Sequence, residues 1–394
     1  MVEIRAPEES DRDAIASLAS LSFNVPISRA RLYAPKLRLD RYLCAYERGT
    51  LVATTQAHPL EQWFGGRPVP MAGVASVATV PERRGTGIAS QVLRELLRAR
   101  RDAGDPLTAL YPATVPVYRR LGYEFGGVFI TYGAPLRSLP RHRADAIELE
   151  PFEGDDFEEL KSCHRAYAAG QTGLAHSEDQ DWWRVRVLSR LEADTTARAV
   201  IARGPNGAEG YAAYEIESLG DHEGSRVACS HLVGLTGRAL SALLTYFGGF
   251  QGVGRKVTWQ GSPQDPIALL VPEQTTPPAY TFRWMERLLD VQSAFEARGF
   301  AEVSGEAVFT VDDPLFEENR GPFGVEADAG KVRVRRVDDD PNQPIPIGAL
   351  SAMFTGFLSP SDAIRLGLVP TEHPALPLFT RLFAGPPPWM MDFF

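Results

Sequence analysis

One segment, residues 74–97, constrains the fold of this chain more than any other. A run of small and β-branched apolar residues is followed by Arg83 and Arg84, the turn Gly85–Gly87 and an apolar-periodic stretch over 88–97. This order predicts a strand, a glycine turn and a helix. Glycines let backbone N–H groups approach a ligand, and a helix N-terminus carries positive partial charge. With two arginines beside it, the turn suits a pyrophosphate.

Two common nucleotide-binding motifs do not fit this turn. A P-loop has four residues between its glycines and a Lys-Ser/Thr pair after them, and the dinucleotide fingerprint needs a third glycine where this chain has Ser90. The remaining pattern, R-x-x-G-x-A from Arg84 to Ala89, resembles the coenzyme A pyrophosphate loop of the GNAT acetyltransferase superfamily. The alternative is an ordinary strand-to-helix turn with two solvated arginines.

A second motif, V-Y-R-R-L-G-Y over residues 117–123, supports the same resemblance. In GNAT proteins a similar segment follows the fifth strand and opens a short helix. The spacing from the glycine turn to Tyr118, roughly thirty residues, fits one helix and one strand.

Length and composition limit the remaining possibilities. A chain of 394 residues is too long for one ordinary core, so we expect two or three domains. The net charge of −9, without a basic block, disfavours nucleic acid and anionic membranes as partners. No apolar run has the length of a membrane span, and the acidic N-terminus lacks a signal segment. Three separated cysteines, Cys44, Cys163 and Cys229, predict reduced core thiols in a cytoplasmic protein.

The order of predicted elements divides the chain into three units, 1–136, 146–279 and 280–394, with a polar linker over 137–145 and a Pro- and Thr-rich break over 272–278. The first unit begins with a strand, Val2–Arg5, and a helix, Asp11–Leu21, for which Ser10 is the predicted N-cap. The second unit begins in the same way and contains a strand–turn–helix pattern over 227–244. That pattern lacks the arginine pair and the full glycine spacing, so we interpret it as a degenerate copy without a cofactor loop. Chance similarity is the alternative.

The third unit is predicted to be a small α+β domain. Its predicted strands are 308–311 and 331–337, and its predicted helices are 288–298, 348–357 and 361–366.

Three units in this order resemble the enhanced-intracellular-survival (Eis) family of bacterial N-acetyltransferases. The resemblance implies an α/β (α+β) fold with tandem GNAT domains, the second degenerate, followed by a sterol-carrier-protein-like domain. It implies acetyl-CoA as co-substrate, primary amines of aminoglycoside or lysine type as acceptors, and assembly into a homohexamer. The implied acetyl-CoA contacts are Val77, Ala78, Thr79, Arg84, Gly85, Thr86, Gly87, Ile88, Ala89, Ser90, Ala113 and Thr114.

The same resemblance implies two catalytic groups: the hydroxyl of Tyr118 as general acid and the terminal carboxylate of Phe394 as general base. A tyrosine with a reference pKa of about 10 stays protonated at neutral pH and can donate to a leaving thiolate. The tail, W-M-M-D-F-F, is too apolar to be left in water, so we expect it to be buried together with its carboxylate. Ordinary aromatic packing at Tyr118 and domain-interface packing of the tail are the alternatives.

Other residues carry weaker signals. The seven histidines show no metal spacing, the Cys163-His164 pair is interpreted as packing, and no metal is expected. Trp182 and Trp183 follow an acidic run, and they either line an amine-binding groove or belong to the core. By analogy of position, Phe23 lies where residues of GNAT proteins usually flank the substrate. The competing function, from another class, is a non-catalytic carrier or regulator that binds CoA or a lipid.

Overall fold

The computed structural model describes residues 2–141, 146–189, 197–220, 224–271, 273–341 and 343–394. Its strands are β1 Val2–Arg5, β2 Tyr42–Glu47, β3 Thr50–Phe64, β4 Arg67–Thr79, β5 Leu107–Leu110, β6 Glu124–Pro135, β7 Glu148–Pro151, β8 Ala175–His176, β9 Arg198–Gly204, β10 Gly207–Ser218, β11 Ser225–Gly234, β12 Gly254–Gln260, β13 Pro278–Leu288, β14 Gly305–Asp312, β15 Gly321–Asp328, β16 Lys331–Arg336 and β17 Pro344–Pro346. Its helices are α1 Arg12–Phe23, α2 Ile27–Tyr33, α3 Ile88–Asp102, α4 Val115–Arg119, α5 Glu158–Ala168, α6 Gln180–Trp182, α7 Gly237–Gly248, α8 Val291–Ala297, α9 Ile347–Thr355, α10 Pro360–Arg365 and α11 Leu376–Leu382.

Strands β1 to β13 form one large sheet. Its order is β1-β2-β3-β4-β5-β13-β6-β12-β11-β10-β9-β7, and β8 pairs with β3. In both β1 to β5 and the series β7, β9 to β12, three antiparallel pairs are followed by one parallel pair. Helices α3 and α7 connect the strands of the two parallel pairs. The repeated topology confirms the prediction of two related units.

The two units share strands across their junction. Strand β6 of the first unit pairs antiparallel with β12 of the second, and β13 lies between β5 and β6. The sequence pattern predicts that residues from 280 onward belong to the third unit, but Tyr280 to Leu288 lie in the large sheet. Residues 284–288 are all buried. No side chain at this end of β13 is exposed, because the sheet is covered on both faces there.

A tight turn and a helix start of the first unit depend on single residues. The turn after β3 contains Gly65 and Gly66 at φ 55° and 80°, as a tight hairpin requires. Ser10 is not the N-cap of α1, because a 3-10 turn over Glu9–Asp11 precedes the helix and Asp11 accepts from the backbone N–H of Glu8 at 2.8 Å. The prediction of a serine cap there is wrong. The predicted linker is described only up to residue 141, and Pro272 of the predicted break also lies outside the described residues.

The third unit contains the four-stranded sheet β16-β15-β14-β17 and helices α8 to α11. It includes the predicted strands and helices with small shifts in their ends. Its interior is filled by aromatic rings in mutual contact, with centroid distances of 5.1–6.1 Å among Phe295, Phe309, Phe354, Phe379 and Phe383. The three cysteines of the chain are free and buried. None of the described helices combines the length and the apolar character needed to cross a membrane.

Candidate active site

Strands β4 and β5 separate at one end of the large sheet. Their parallel pairing stops at Val74 and Leu110, whereas β4 continues to Thr79. A bulge shifts the β3–β4 register between Thr54 and Gln56, and Ser76 opposite it has φ 53°. The last five residues of β4 therefore face the gap without a strand partner on that side. Val77, Ala78 and Thr79, the predicted cofactor strand, line this opening.

The turn after β4 leaves a helix N-terminus open. Gly85 and Gly87 have φ 77° and 88°, a conformation that favours glycine, and a Cβ added at either would meet no atom within 4 Å. The first intrahelical bond of α3 runs from the N–H of Gln91 to the carbonyl of Gly87 at 3.0 Å. The amides of the three preceding helical residues, Ile88 to Ser90, consequently have no partner within the helix. Three free amides at the positive end of a 15-residue helix suit a phosphate group.

The two arginines before this turn differ in their contacts. Arg83 forms an ion pair with Glu47 at 2.7 Å. Arg84 is exposed and its Nε lies 3.4 Å from the carbonyl oxygen of Thr79, so it joins the end of β4 to the turn. Thr86 donates to the carbonyl of Arg83 at 2.7 Å and closes the turn on itself. Arg84 is therefore the arginine whose charge is available to a ligand.

Tyr118 lies in the short helix α4 that follows β5. Its ring is 5% exposed and belongs to the same apolar cluster as Val74 and Leu110, against which Val77 also packs. Burial raises the pKa of Tyr118 to about 12. The hydroxyl has no hydrogen-bond partner among the described residues. Tyr118 is thus a protonated donor beside the separated strands.

Ala113 and Thr114, the remaining predicted cofactor contacts, are exposed on the segment between β5 and α4. Thr114 precedes the first residue of the helix, but its side chain caps no backbone N–H. Both residues are open to solvent at the start of the helix that carries Tyr118.

The C-terminal tail folds back onto the large sheet, as the sequence predicts. Val128 of β6 donates to the carbonyl of Pro388 at 3.2 Å and accepts from the N–H of Met390 at 2.9 Å. The hydroxyl of Tyr111, the residue after β5, donates to the carbonyl of Asp392 at 2.8 Å. The tail side chains buried are Trp389, Met390, Met391, Asp392 and Phe394. Phe393 is the exception, with half of its surface exposed.

The ring of Phe394 lies on β4 next to the point where β4 and β5 separate. A Cβ added at Gly73 would come within 3.0 Å of this ring, so only glycine allows the ring to approach the strand so closely. Tyr111 contacts the ring edge-on at a centroid distance of 5.5 Å, and Trp182 contacts it at 6.1 Å. The terminal carboxylate has no ion pair or hydrogen bond with any described residue.

His58 is a buried residue of this site that sequence reasoning missed. It pairs with Gly73 across β3 and β4, and its ring lies 5.3 Å from that of Trp182 and 6.5 Å from that of Phe394. Neither ring nitrogen has a hydrogen-bond partner among the described residues. Burial lowers the pKa of His58 well below its ordinary value, so the imidazole is neutral at physiological pH. Its position within a long apolar strand gave no functional signal.

The structure separates the two predicted groove tryptophans. Trp182 contacts Phe394 and His58, whereas Trp183 is 1% exposed and packs among histidines of the second unit. Phe23 is 46% exposed at the end of α1. Only Trp182 is part of the site as described.

The corresponding turn of the second unit has a closed helix N-terminus. Thr236 caps α7 by accepting from the N–H of Ala239 at 3.2 Å. The carboxylate of Glu209 accepts from the Thr236 hydroxyl at 2.8 Å and from Nε of Arg238 at 2.7 Å. These partners lower the pKa of Glu209 and keep it charged. A carboxylate of the protein itself therefore occupies the space that an incoming phosphate would need.

Family models match three consecutive parts of the chain. Two descriptions read acetyltransferase (GNAT) domain, over residues 3–126 and 174–289, and the third reads sterol carrier protein domain, over residues 291–391. The order of the three matches is the order of the units in the structure.

Similar proteins match this chain over most of their length. An N-acetyltransferase of Streptomyces griseus is 26% identical over 84% of this chain and 83% of its own length. N-acetyltransferase Eis of Mycobacterium tuberculosis is 27% identical over 73% of this chain and 71% of its own. A GCN5-related N-acetyltransferase of Anabaena variabilis superposes over the full length of both chains with a TM-score of 0.93 and 26% identity. The chain belongs to the Eis-like GNAT N-acetyltransferases, with two GNAT domains followed by a sterol-carrier-protein domain.

Proposed function

We propose that the first GNAT domain transfers the acetyl group of acetyl-CoA to a primary amine of a small cationic substrate, such as an aminoglycoside or a lysine-type amine. The acetyl donor lies along Val77–Thr79, and its pyrophosphate is bound by the turn from Arg84 to Ser90. Ala113 and Thr114 flank the thiol-bearing arm. The open amides at the start of α3 and the separated edge of β4 support this arrangement.

In this proposal the amine nitrogen attacks the acetyl carbonyl carbon. A C–N bond forms, the C–S bond breaks, and a backbone N–H of the β4 edge stabilises the oxyanion that develops on the carbonyl oxygen. The carboxylate of Phe394 takes the proton from the amine, and Tyr118 donates its proton to the departing sulfur. The products are an N-acetyl amine and the free thiol, and solvent returns the proton from the carboxylate to Tyr118.

One observation carries this proposal: the chain terminus lies against the catalytic strand. The ring of Phe394 covers Gly73 within the pair β4–β5, and its carboxylate is not consumed by a neighbouring cation among the described residues. In this proposal the aromatic rings around Phe394 shield the carboxylate from water, and desolvation disfavours the charged form of a carboxylate.

The test replaces the terminal carboxylate by a carboxamide through ligation of a synthetic tail, with a ligated native tail as the matched control. The amide keeps the ring, the length and the packing, and it removes the base. We expect kcat to fall at least on the order of 100-fold while acetyl-CoA affinity stays within about two-fold. Unchanged turnover of the amidated chain would contradict the assignment and leave the neutral His58 as the remaining base.

The competing function, a carrier of CoA or lipid, is less well supported. The interior of the third unit is occupied by its own phenylalanine rings, and Arg298 lies about 5 Å from four of the surrounding rings. Thiol release from acetyl-CoA, measured with a panel of polyamines and aminoglycosides, separates the two functions. A carrier would bind the cofactor and release no thiol on addition of any amine.

A first domain over 1–136, a second domain that begins at 146, a third domain that begins after β13, a cytoplasmic location and a hexameric assembly complete the proposal. The free, buried cysteines agree with a reducing compartment. Sedimentation analysis tests the oligomeric state.

A further inference from the structure

A second cluster of functional side chains lies outside the candidate active site. His164 of α5, His231 of β11 and Asp392 of the tail are 1%, 2% and 8% exposed. One nitrogen of each imidazole and one oxygen of the carboxylate all lie within 4.8 Å of one another. These residues are far apart in the sequence, so their spacing gives no metal signature.

The hydrogen bonds around His164 define its tautomer. Nε2 of His176 donates to the carboxylate of Glu178 at 2.9 Å, so Nδ1 of His176 carries a lone pair. Nδ1 of His164 lies 3.0 Å from that lone pair and must donate to it. Nε2 of His164 is then an unprotonated acceptor, and it has no partner among the described residues. A buried acceptor without a partner is unfavourable.

His231 and Asp392 form the opposite side of the cluster. Asp392 accepts from Nε2 of His231 at 3.1 Å, and the hydroxyl of Tyr211 lies 2.6 Å from Nδ1 of the same ring. A ring nitrogen of His164 and a carboxylate oxygen of Asp392 lie within 4.8 Å of each other. A cation placed between an imidazole lone pair and a carboxylate oxygen would be bound by both.

We propose that His164, His231 and Asp392 form a binding site for a divalent transition-metal ion of the zinc type. Two imidazoles and one carboxylate are a common zinc ligand set, with a fourth position left to water. The ion takes the place of the Nε2 proton of His231. The neutral imidazole has only this one ring proton, and it moves to Nδ1, where it is donated to the hydroxyl oxygen of Tyr211.

The surroundings of the ligands match a metal site in a second respect. Metal-binding histidines usually use their other ring nitrogen in a hydrogen bond that fixes the ring. His164 has such a bond to His176, and His231 has one to Tyr211. Donor atoms of a tetrahedral zinc site lie about 3.3 Å apart, given ligand bonds of about 2.0–2.1 Å. The His231–Asp392 pair already has this spacing, and small side-chain rotations bring in the third atom.

The ion would join three parts of the molecule: a helix and a strand of the second unit and the C-terminal tail. Asp392 is two residues before the chain end, so the ion would hold the tail in place. The proposal does not depend on acetyl transfer, since the site remains whether or not the terminal carboxylate acts as a base.

The test uses the full chain, treated with a chelator, dialysed and titrated with Co²⁺ alone. We expect one Co²⁺ per chain, the intense visible absorption of a four-coordinate ion, displacement by Zn²⁺, and a higher Tm with Zn²⁺ than without. A folded wild-type chain that takes up no stoichiometric Co²⁺ or Zn²⁺ at micromolar to millimolar concentration would overturn the proposal.

Two substitutions and one control assign the ligands. Asp392→Asn keeps the shape of the side chain, and His164→Gln keeps a polar group in the same space; each should weaken Zn²⁺ binding by at least roughly 10–100-fold. The control is His373→Gln, which changes a buried histidine that bonds to the carbonyl of Gln343 far from the cluster. Equal Zn²⁺ affinity in the wild type and in His164→Gln would contradict the assignment.

Discussion

The two GNAT domains differ most at the N-termini of helices α3 and α7. In the first, residues 80–87 connect β4 to α3, and the amides of the first helical turn are open. In the second, only Leu235 and Thr236 connect β11 to α7, and Thr236 with Glu209 closes the helix end. The same topology therefore either presents an anion site or fills it with its own carboxylate. The two domains share one fold and differ in the cap at the N-terminus of this helix.

The gap beside each strand shows the same contrast. In the second unit, β11 also extends past its parallel pairing with β12, but the amide of Gln260 reaches the carbonyls of Cys229 and Ser230 at 2.8 and 3.0 Å with its nitrogen turned toward them. In the first unit, the end of β4 faces the gap with its main chain free of a strand partner. In the second domain, Thr236 accepts from the N–H of Ala239 and Gln260 bonds to the free edge of β11, whereas the corresponding groups of the first domain have no such partners among the described residues.

The largest expected effect concerns the general acid of the first domain. Tyr118→Phe should lower kcat by on the order of 100- to 1000-fold, with little change in KM for acetyl-CoA, because the lost proton donor acts only in the transition state. Steady-state kinetics with a good amine acceptor measures this. Tyr246→Phe, which alters a tyrosine pair of the second domain, is the matched control and should leave kcat unchanged. Equal kcat values for Tyr118→Phe and Tyr246→Phe would contradict the role of Tyr118 as general acid.

The pH profile gives an independent check of Tyr118. Burial raises the pKa of Tyr118 to about 12, and the donor form is the protonated one. The hydroxyl is therefore available at all pH values well below 12, so kcat should not decline between pH 8 and pH 10. A decline with an apparent pKa near 9 or 10 in the wild type, absent in Tyr118→Phe, would indicate an ordinary solvated tyrosine.

A carboxylate introduced into the first turn of α3 should convert the open helix end into a closed one. Ser90→Glu is expected to raise KM for acetyl-CoA on the order of 100-fold, since the new charge occupies the helix terminus and repels the pyrophosphate. The same carboxylate should stabilise the helix by about 0.3–1 kcal/mol. Ser90→Gln, equal in size and uncharged, should change KM by less than about three-fold. Similar KM values for the Glu and Gln variants would exclude the helix end as the phosphate site.

Arg84, the exposed arginine of the turn before α3, should contribute less to acetyl-CoA binding than the helix N-terminus does. Arg84→Gln is expected to raise KM for acetyl-CoA about three- to five-fold, and added salt should reduce the difference. Arg238→Gln, at the corresponding turn of the second domain, should not change KM, because Arg238 is already bonded to Glu209. A larger effect from Arg238 than from Arg84 would reverse the proposed division between the domains.

The smallest effect should appear in stability alone. Thr236→Ala removes the cap of α7 and is expected to lower the free energy of unfolding by about 1 kcal/mol. Urea denaturation measures the change. Acetyl-CoA binding should stay within experimental error of the wild type, and a loss of affinity would mean that the second helix end also contacts the cofactor.

The features of the structure that could be predicted from the sequence are those that depend on neighbouring residues. The strand, glycine turn and helix around Arg84 follow from apolar periodicity and from glycines at positive φ, and the burial of the tail follows from its aromatic content. The degenerate second copy was also predicted, although the sequence alone could not show that Glu209, about thirty residues before its partners, closes the helix.

The parts that escaped prediction depend on distant partners. Strand β13 was assigned to the third unit because nothing in residues 278–288 indicates that its partners are β5 and β6. His58 lies within an apolar strand, and the cluster at His164 is assembled from one helix, one strand and the tail. Tertiary contacts between residues far apart in sequence leave no periodic pattern to detect.

The stoichiometry of acetyl-CoA binding tests the central claim most directly. Isothermal titration of the full chain should give one acetyl-CoA per chain, and Ser90→Glu should abolish the binding heat while Ser90→Gln and Thr236→Ala retain it. Two molecules per chain, or undiminished binding by Ser90→Glu, would contradict the account, since the cofactor would then not depend on the open helix end of the first domain.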